Sequence, residues 1–316
     1  MRCTDRLKAG LADLEKRAKD TDTPAQEVPD APWPNATVRR KDILIWVVVS
    51  FAVPAVFLLL LRHKLEPNNG VLNLGGELPL KAIQAFFVAL GTWVVSRMEK
   101  RPLAAYGMPP EQAFGARFWE GCAWGFAMLS LVLLIIRLTG HFQIDSVALS
   151  GAAIFKYGLG WALAFYAVAI SEEFIFRGYL LFIYTRGMRF WYAALILSLL
   201  FGAAHLGNPN ENVFGILQVV VVGLIFCLTI RRTGTLWLAV GFHATWDWAQ
   251  TFFYGTPDSG LLGVGRFLIS SSMGPKWLTG GSAGPEGSIV AFAVLLLFAL
   301  LIHLRFPKAV YLDRQT

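Results

Sequence analysis

Charged side chains are scarce in this sequence. Asp, Glu, Lys and Arg make up 16% of 316 residues, where soluble domains average about 25%. With 55% hydrophobic residues gathered into long runs, that scarcity excludes an ordinary water-soluble domain and points to a polytopic membrane protein. Cysteine is scarcer still. Cys3, Cys122 and Cys227 are too few and too scattered for a disulfide framework or a metal knuckle, so the two inside apolar runs are expected simply to pack. No secretory signal opens the chain, no segment repeats at a fixed period, and nothing alternates at the period of a membrane barrel. The charge that is present sums to +7. Its Lys and Arg lie mostly between the apolar runs, where lipid headgroups and the topology rule account for them. A nucleic-acid partner is therefore not expected.

Eight apolar segments are long enough to span a bilayer: 43–61, 80–98, 117–137, 153–173 (with a continuation to 185), 190–206, 213–230, 234–253 and 288–306. Because backbone groups in lipid must be satisfied within the segment, they are expected as helices. The fold class is thus all-α and polytopic, with about eight transmembrane helices in one bundle. The 24 Phe and 11 Trp suit lipid-facing and interfacial positions. Residues 1–42 read as a polar tail, in which "DRLKAGLADLEKRAKD" is either a short amphipathic helix or a solvated arm. Residues 43–306 form the membrane domain and 307–316 a C-terminal tail. The mixed stretch 99–121 is expected along the cytoplasmic interface, and the Gly- and Ser-rich stretch from about 254 to 287 as an irregular loop or lid. Basic residues such as Arg97, Lys100, Arg101, Arg186, Arg189, Arg231, Arg232 and Arg305 outnumber those on the opposite flanks. That excess predicts both termini in the cytoplasm.

Against this background a few polar residues break the apolar runs. An ionisable group facing lipid costs several kcal/mol, so one inside a span is paired or functional by default. The stretch "AISEEFIFRGYLLF" carries Glu172, Glu173 and Arg177. Glu173 and Arg177 are four apart and share a helix face, whereas Glu172 is rotated by about 100° and needs another partner. His205 follows Phe201 by one turn in "LLFGAAHLGN". His243 and Asp247, again four apart, occur in "GFHATWDW". Small residues beside them, Gly202, Ala203, Ala204, Gly241 and Ala244, allow close helix approach. Counting ~1.5 Å per residue from the basic end of each span puts Glu173 at roughly 20 Å, His205 at 24 Å, His243 at 16 Å and Asp247 at 22 Å. One shared layer of polar side chains is the expectation.

Two imidazoles and carboxylates in a dry cavity can activate water. They do so either around a divalent metal with an open position or directly by general-base catalysis. The Glu173–Arg177 pair leaves Glu172 as the carboxylate free to act. Other intramembrane hydrolases are set aside: H-E-x-x-H is absent, the aspartates do not pair, and Ser282 has no histidine within reach. The sequence shows neither the broken half-helices nor the internal repeat of a proton-coupled transporter.

The succession E-E-x-x-x-R, F-x-x-x-H and H-x-x-x-[N/D], carried here by Glu172, Glu173, Arg177, Phe201, His205, His243 and Asp247, resembles the CPBP family. These are the Abi or CAAX-protease-like intramembrane proteases, including prenyl-protein endopeptidases of the Rce1 type. The resemblance covers a core of about 153–253. It implies a hydrolytic cavity within the membrane, with Glu172 as the water-activating base. His205, His243 and Asp247 would hold the water or a metal, Zn2+ being the candidate. Asp247 stands where some members carry an amide, and the added negative charge favours a metal. The implied activity is endopeptidase cleavage of a membrane-associated peptide, prenylated or not, in a cell membrane of the bacterial inner-membrane kind. The alternative within the same fold is a non-catalytic protein of bacteriocin self-immunity or a partner scaffold.

Overall fold

The structure, a computed structural model, describes residues 40–56, 71–208 and 210–311. The N-terminal tail with its amphipathic stretch lies outside the described residues. The remainder is mostly helical. Helix α1 begins at Arg40–Val47 and continues through a π-helical turn, Val48–Ala52. It is followed by α2 (Leu74–Glu99), α3 (Ala116–Leu138) and α4 (Ala152–Glu173). A π-helical turn at Phe174–Tyr179 joins α4 directly to α5 (Leu180–Gly187). Then come α6 (Phe190–Ala204), α7 (Val213–Thr233), α8 (Trp237–Trp248, extended by a π turn to Phe253) and α9 (Ile289–Arg305).

Among the described residues, four helices are long and apolar enough to cross a membrane: Leu74–Glu99, Ala116–Leu138, Ala152–Gly187 and Val213–Thr233. The chain is an integral membrane protein. Two further apolar helices, Phe190–Ala204 and Ile289–Arg305, are shorter. At ~1.5 Å per residue, the 15 residues of α6 rise only ~22 Å, short of a hydrocarbon core of about 30 Å. At the C-terminal end of α6, His205 is half-buried between exposed Ala204 and Leu206.

Helix ends follow their capping residues. Asn73, Asn212 and Ser288 each accept a backbone N–H at the start of α2, α7 and α9, from Gly75, Gly215 and Ala291, which satisfies one of the orphan donors there. Packing centres on α3 and α8. An added Cβ at Gly121 or Gly125 would strike the backbone of Leu238 or Phe242, and one at Gly241 would strike that of Phe118. Two helices thus meet backbone to backbone through small residues, as GxxxG-type seams do. The deep core includes Trp46, Tyr179, Phe226, Phe242 and Phe298. Cys227 is buried and Cys122 half-buried, both unpaired thiols.

Two connections differ from the sequence expectation. Stretch 99–121 is partly folded into the core, while Phe114 and Trp119 stay exposed. Tyr106 and Met108 are buried in the core, the Gly107 carbonyl accepts from Leu236 N (2.8 Å), and Trp237 Nε1 donates to the Pro109 carbonyl (2.8 Å). Its apolar residues close the N-terminal end of α8, which otherwise would expose free N–H groups. Stretch 254–287 is not irregular throughout. Strand β3 (Leu262–Gly263) pairs in parallel with β1 (Val71–Leu72), and β4 (Leu268–Ser272) pairs antiparallel with β2 (Phe142–Val147). These strands are two to six residues long, too short and too polar to show a periodic signal.

Candidate active site

Glu173 and Arg177 face the same interior point from α4 and the following π turn. Arg177 Nη1 donates to Glu173 Oε1 at 3.1 Å, and both side chains are 0% exposed. Glycine makes this possible: a Cβ on Gly223 of α7 would lie 2.7 Å from Arg177 Nη2. The guanidinium also stacks over Phe201, 4.1 Å from its ring centre, and lies near Phe226 at 5.7 Å. Burying the pair without such partners would be costly.

His243 of α8 completes the arrangement. Its Nδ1 lies 2.9 Å from Glu173 Oε1, the oxygen already held by Arg177. Its Nε2 faces Asp247 Oδ2 at 3.4 Å and Glu172 Oε2 at 3.7 Å. One imidazole thus links the fully buried carboxylate to two half-open ones, with Glu172 21% and Asp247 13% exposed at the side chain. Phe201 and Phe226 flank the ring at 6.4 and 5.8 Å.

His205 arrives differently. It caps α6, and its Nδ1 sits 2.9 Å from the carbonyl of Phe201 one turn back. A carbonyl only accepts, so Nδ1 donates to it, and in the neutral ring Nε2 is left as an acceptor. Phe201 packs edge-on against it at 4.8 Å. His205 and His243 line one cavity of about 730 Å³ together with Glu172 and Asp247. That cavity is apolar along Trp161, Phe165, Val168 and Val219 and polar around the carboxylates.

All six expected residues are therefore in one neighbourhood: Glu172, Glu173, Arg177, His243 and Asp247 as a contact cluster, and His205 across the cavity. Sequence reasoning did not single out Asp258 and Glu286, which line the same cavity and are buried. Thr251 Oγ1 donates to Asp258 Oδ2 at 3.0 Å, and Ser259 N donates to Glu286. Both follow polar, Gly-rich sequence, where an acidic residue carries no signal.

The donor set expected for a metal, His205, His243 and Asp247, is not gathered into one. His205 Nδ1 is taken by its own helix, and both nitrogens of His243 already face carboxylates. Among the described residues no group of three or more His, Cys, Asp or Glu side chains is placed to hold a metal ion. His243 and the carboxylates of Glu172, Glu173 and Asp247 form a network of close contacts at the cavity wall.

No curated protein shows significant similarity to the chain. The family comparison, by contrast, matches a segment that begins in α4, takes in every motif residue above and ends after α8. Residues 154–249 match the family model described as type II CAAX prenyl endopeptidase Rce1-like.

Proposed function

We propose that this protein is an intramembrane endopeptidase that hydrolyses a peptide bond of a membrane-associated substrate, with Glu172 as the base. The observation that carries this reading is the unequal setting of the two adjacent glutamates. Glu173 is sealed in and held by Arg177 and His243, whereas Glu172 opens onto the cavity beside His243 and Asp247. A carboxylate already compensated by a guanidinium is a poor proton acceptor, and one at a cavity wall can reach water.

Glu172 takes a proton from water as the water oxygen attacks the carbonyl carbon of the scissile bond. His205 Nε2, with its lone pair free, accepts the second hydrogen of that water and fixes its direction. The tetrahedral intermediate collapses when the C–N bond breaks and Glu172 returns its proton to the leaving nitrogen. His243, tethered by Glu173, holds the carboxylates of Glu172 and Asp247 in place. The apolar wall of the cavity accommodates an apolar stretch of substrate, and a dry site strengthens each of these interactions.

The basic ends of α7 and α9 support a cytoplasmic location for the C-terminus. Arg232 of α7 contacts His303 of α9 at 2.7 Å, Arg231 binds the backbone of Tyr311, and Arg305 lies 3.9 Å from Glu120 at the start of α3. These cations gather at one end of the helices, as the positive-inside rule requires of a cytoplasmic face.

The test is N-terminal peptidomics of membranes carrying the wild-type protein or Glu172→Gln at equal abundance. New N-termini that depend on Glu172 support the protease. Identical peptidomes replace it with the non-catalytic scaffold reading.

A further inference from the structure

A second buried polar cluster lies beside the site and takes no part in the chemistry above. Glu99, the last residue of α2, accepts from two tyrosines: Tyr179 OH donates to Oε1 at 2.9 Å and Tyr106 OH to Oε2 at 3.1 Å. Arg101 pairs with the same carboxylate at 3.2 Å, and the Glu99 side chain is only 6% exposed. A carboxylate buried this deeply persists only when paired and hydrogen-bonded, and here three groups hold it.

The position of Tyr179 gives this cluster a functional meaning. Tyr179 ends the π turn Phe174–Tyr179, two residues after Arg177, and the regular helix is broken between them at Gly178 (φ −87°, ψ −105°). A Cβ on Gly178 would approach Met108 Cε at 3.2 Å. The two side chains face opposite neighbours. Arg177 stacks on Phe201, while the Tyr179 ring packs on Trp46 at 5.2 Å and Tyr106 at 5.5 Å. Single-turn π segments inside α-helices recur at functional sites because they re-aim side chains.

We infer that Glu99 and Tyr179 are positioning residues. Their hydrogen bond, 80 residues apart in sequence, pins the far side of the π turn to α2, and that fixes the direction in which the near side presents Arg177, Glu173 and, through them, His243. This inference rests on the protease reading. Tyr106 makes a similar bond to the same carboxylate, but from the 3-10 turn Leu103–Tyr106, off the catalytic helix. It is the internal control.

The experiment compares Tyr179→Phe, Tyr106→Phe, Glu99→Gln, Glu99→Ala and Glu172→Gln in lipid vesicles, using as substrate a peptide found by the peptidomics above. Misplacing catalytic groups by about 1 Å costs about 100-fold, so Tyr179→Phe is expected to lower kcat by about 10–100-fold with KM within about twofold, and Tyr106→Phe to leave both within about twofold. Glu99→Gln keeps an acceptor oxygen and should retain more kcat than Glu99→Ala. Thermal stability of the two tyrosine variants should fall alike, since each loses one hydrogen bond. Equal loss of kcat in the two, or wild-type kcat in Tyr179→Phe, overturns the positioning role while an inactive Glu172→Gln leaves the protease standing. Activity retained by Glu172→Gln overturns the protease reading and this inference with it.

Discussion

Substituting Glu173 by Gln tests how the site is held together. The substitution keeps the shape but removes the negative charge that sits 3.1 Å from Arg177 and 2.9 Å from His243. Both members of the Glu173–Arg177 pair are 0% exposed, so no water replaces the lost partner. Breaking a buried pair from one side costs about 3–5 kcal/mol, because the surviving charge stays desolvated. At about 1.4 kcal/mol per decade, that is a loss of roughly two to four decades in the folding equilibrium. The sharper comparison is the double variant Glu173→Gln/Arg177→Met. It removes both charges and leaves an apolar side chain among Phe176, Phe201 and Phe226, the rings around Arg177. Replacing a buried pair by apolar residues is often neutral or stabilising. Unfolding in detergent, followed by tryptophan fluorescence over a denaturant series, should show Glu173→Gln far less stable than wild type and the double variant recovered by most of that difference. Both variants should be inactive. Wild-type stability in Glu173→Gln, or a double variant no better than the single, would refute the view that this pair is a closed, mutually compensating unit.

Further outcomes follow from other parts of the structure. Gly121→Ala or Gly241→Ala places a methyl against the backbone of the facing helix and should cost about 1–3 kcal/mol, the range for overpacking. Gly187→Ala, where nothing lies within 4 Å, should be near neutral in the same denaturant unfolding series. Burial raises the Glu286 carboxyl to about 8, with the Glu211 charge adding to it. A carboxyl with a raised folded pKa stabilises the structure fully only below its ordinary value of 4.5. The contribution declines as pH rises from there toward 8, because the folded state then holds the proton more tightly than the unfolded one. Protection of the amides across residues 254–287, measured against their intrinsic base-catalysed exchange rate at each pH, should accordingly fall between pH 5 and about 8, and Glu286→Gln should flatten that trend; pH-independent protection in the wild type would count against it. Finally, because both nitrogens of His243 face carboxylates, turnover should survive treatment with a membrane-permeant chelator. Loss of turnover restored by zinc would instead assign His205, His243 and Asp247 to a metal.

What the sequence determined by itself is everything that lipid and helical spacing enforce. The runs at 80–98, 117–137 and 213–230 became α2, α3 and α7 within a few residues, since no other backbone arrangement satisfies its own hydrogen bonds in a bilayer. The pairs Glu173–Arg177 and His243–Asp247 were legible because residues four apart share a helix face. Other features were decided only by tertiary structure. Glu172 has no partner on its own helix, and His243 reaches it from α8. His205 turns back to its own helix instead of joining His243. The re-aiming of α4 at Gly178, and the carboxylate of Glu99 that pins it, depend on a contact between residues 80 positions apart. Local spacing sets which side chains share a face of one helix. Which faces meet is set by close approach between helices, such as the glycine seam of α3 and α8, and that is a property of volumes and contacts that no single segment carries.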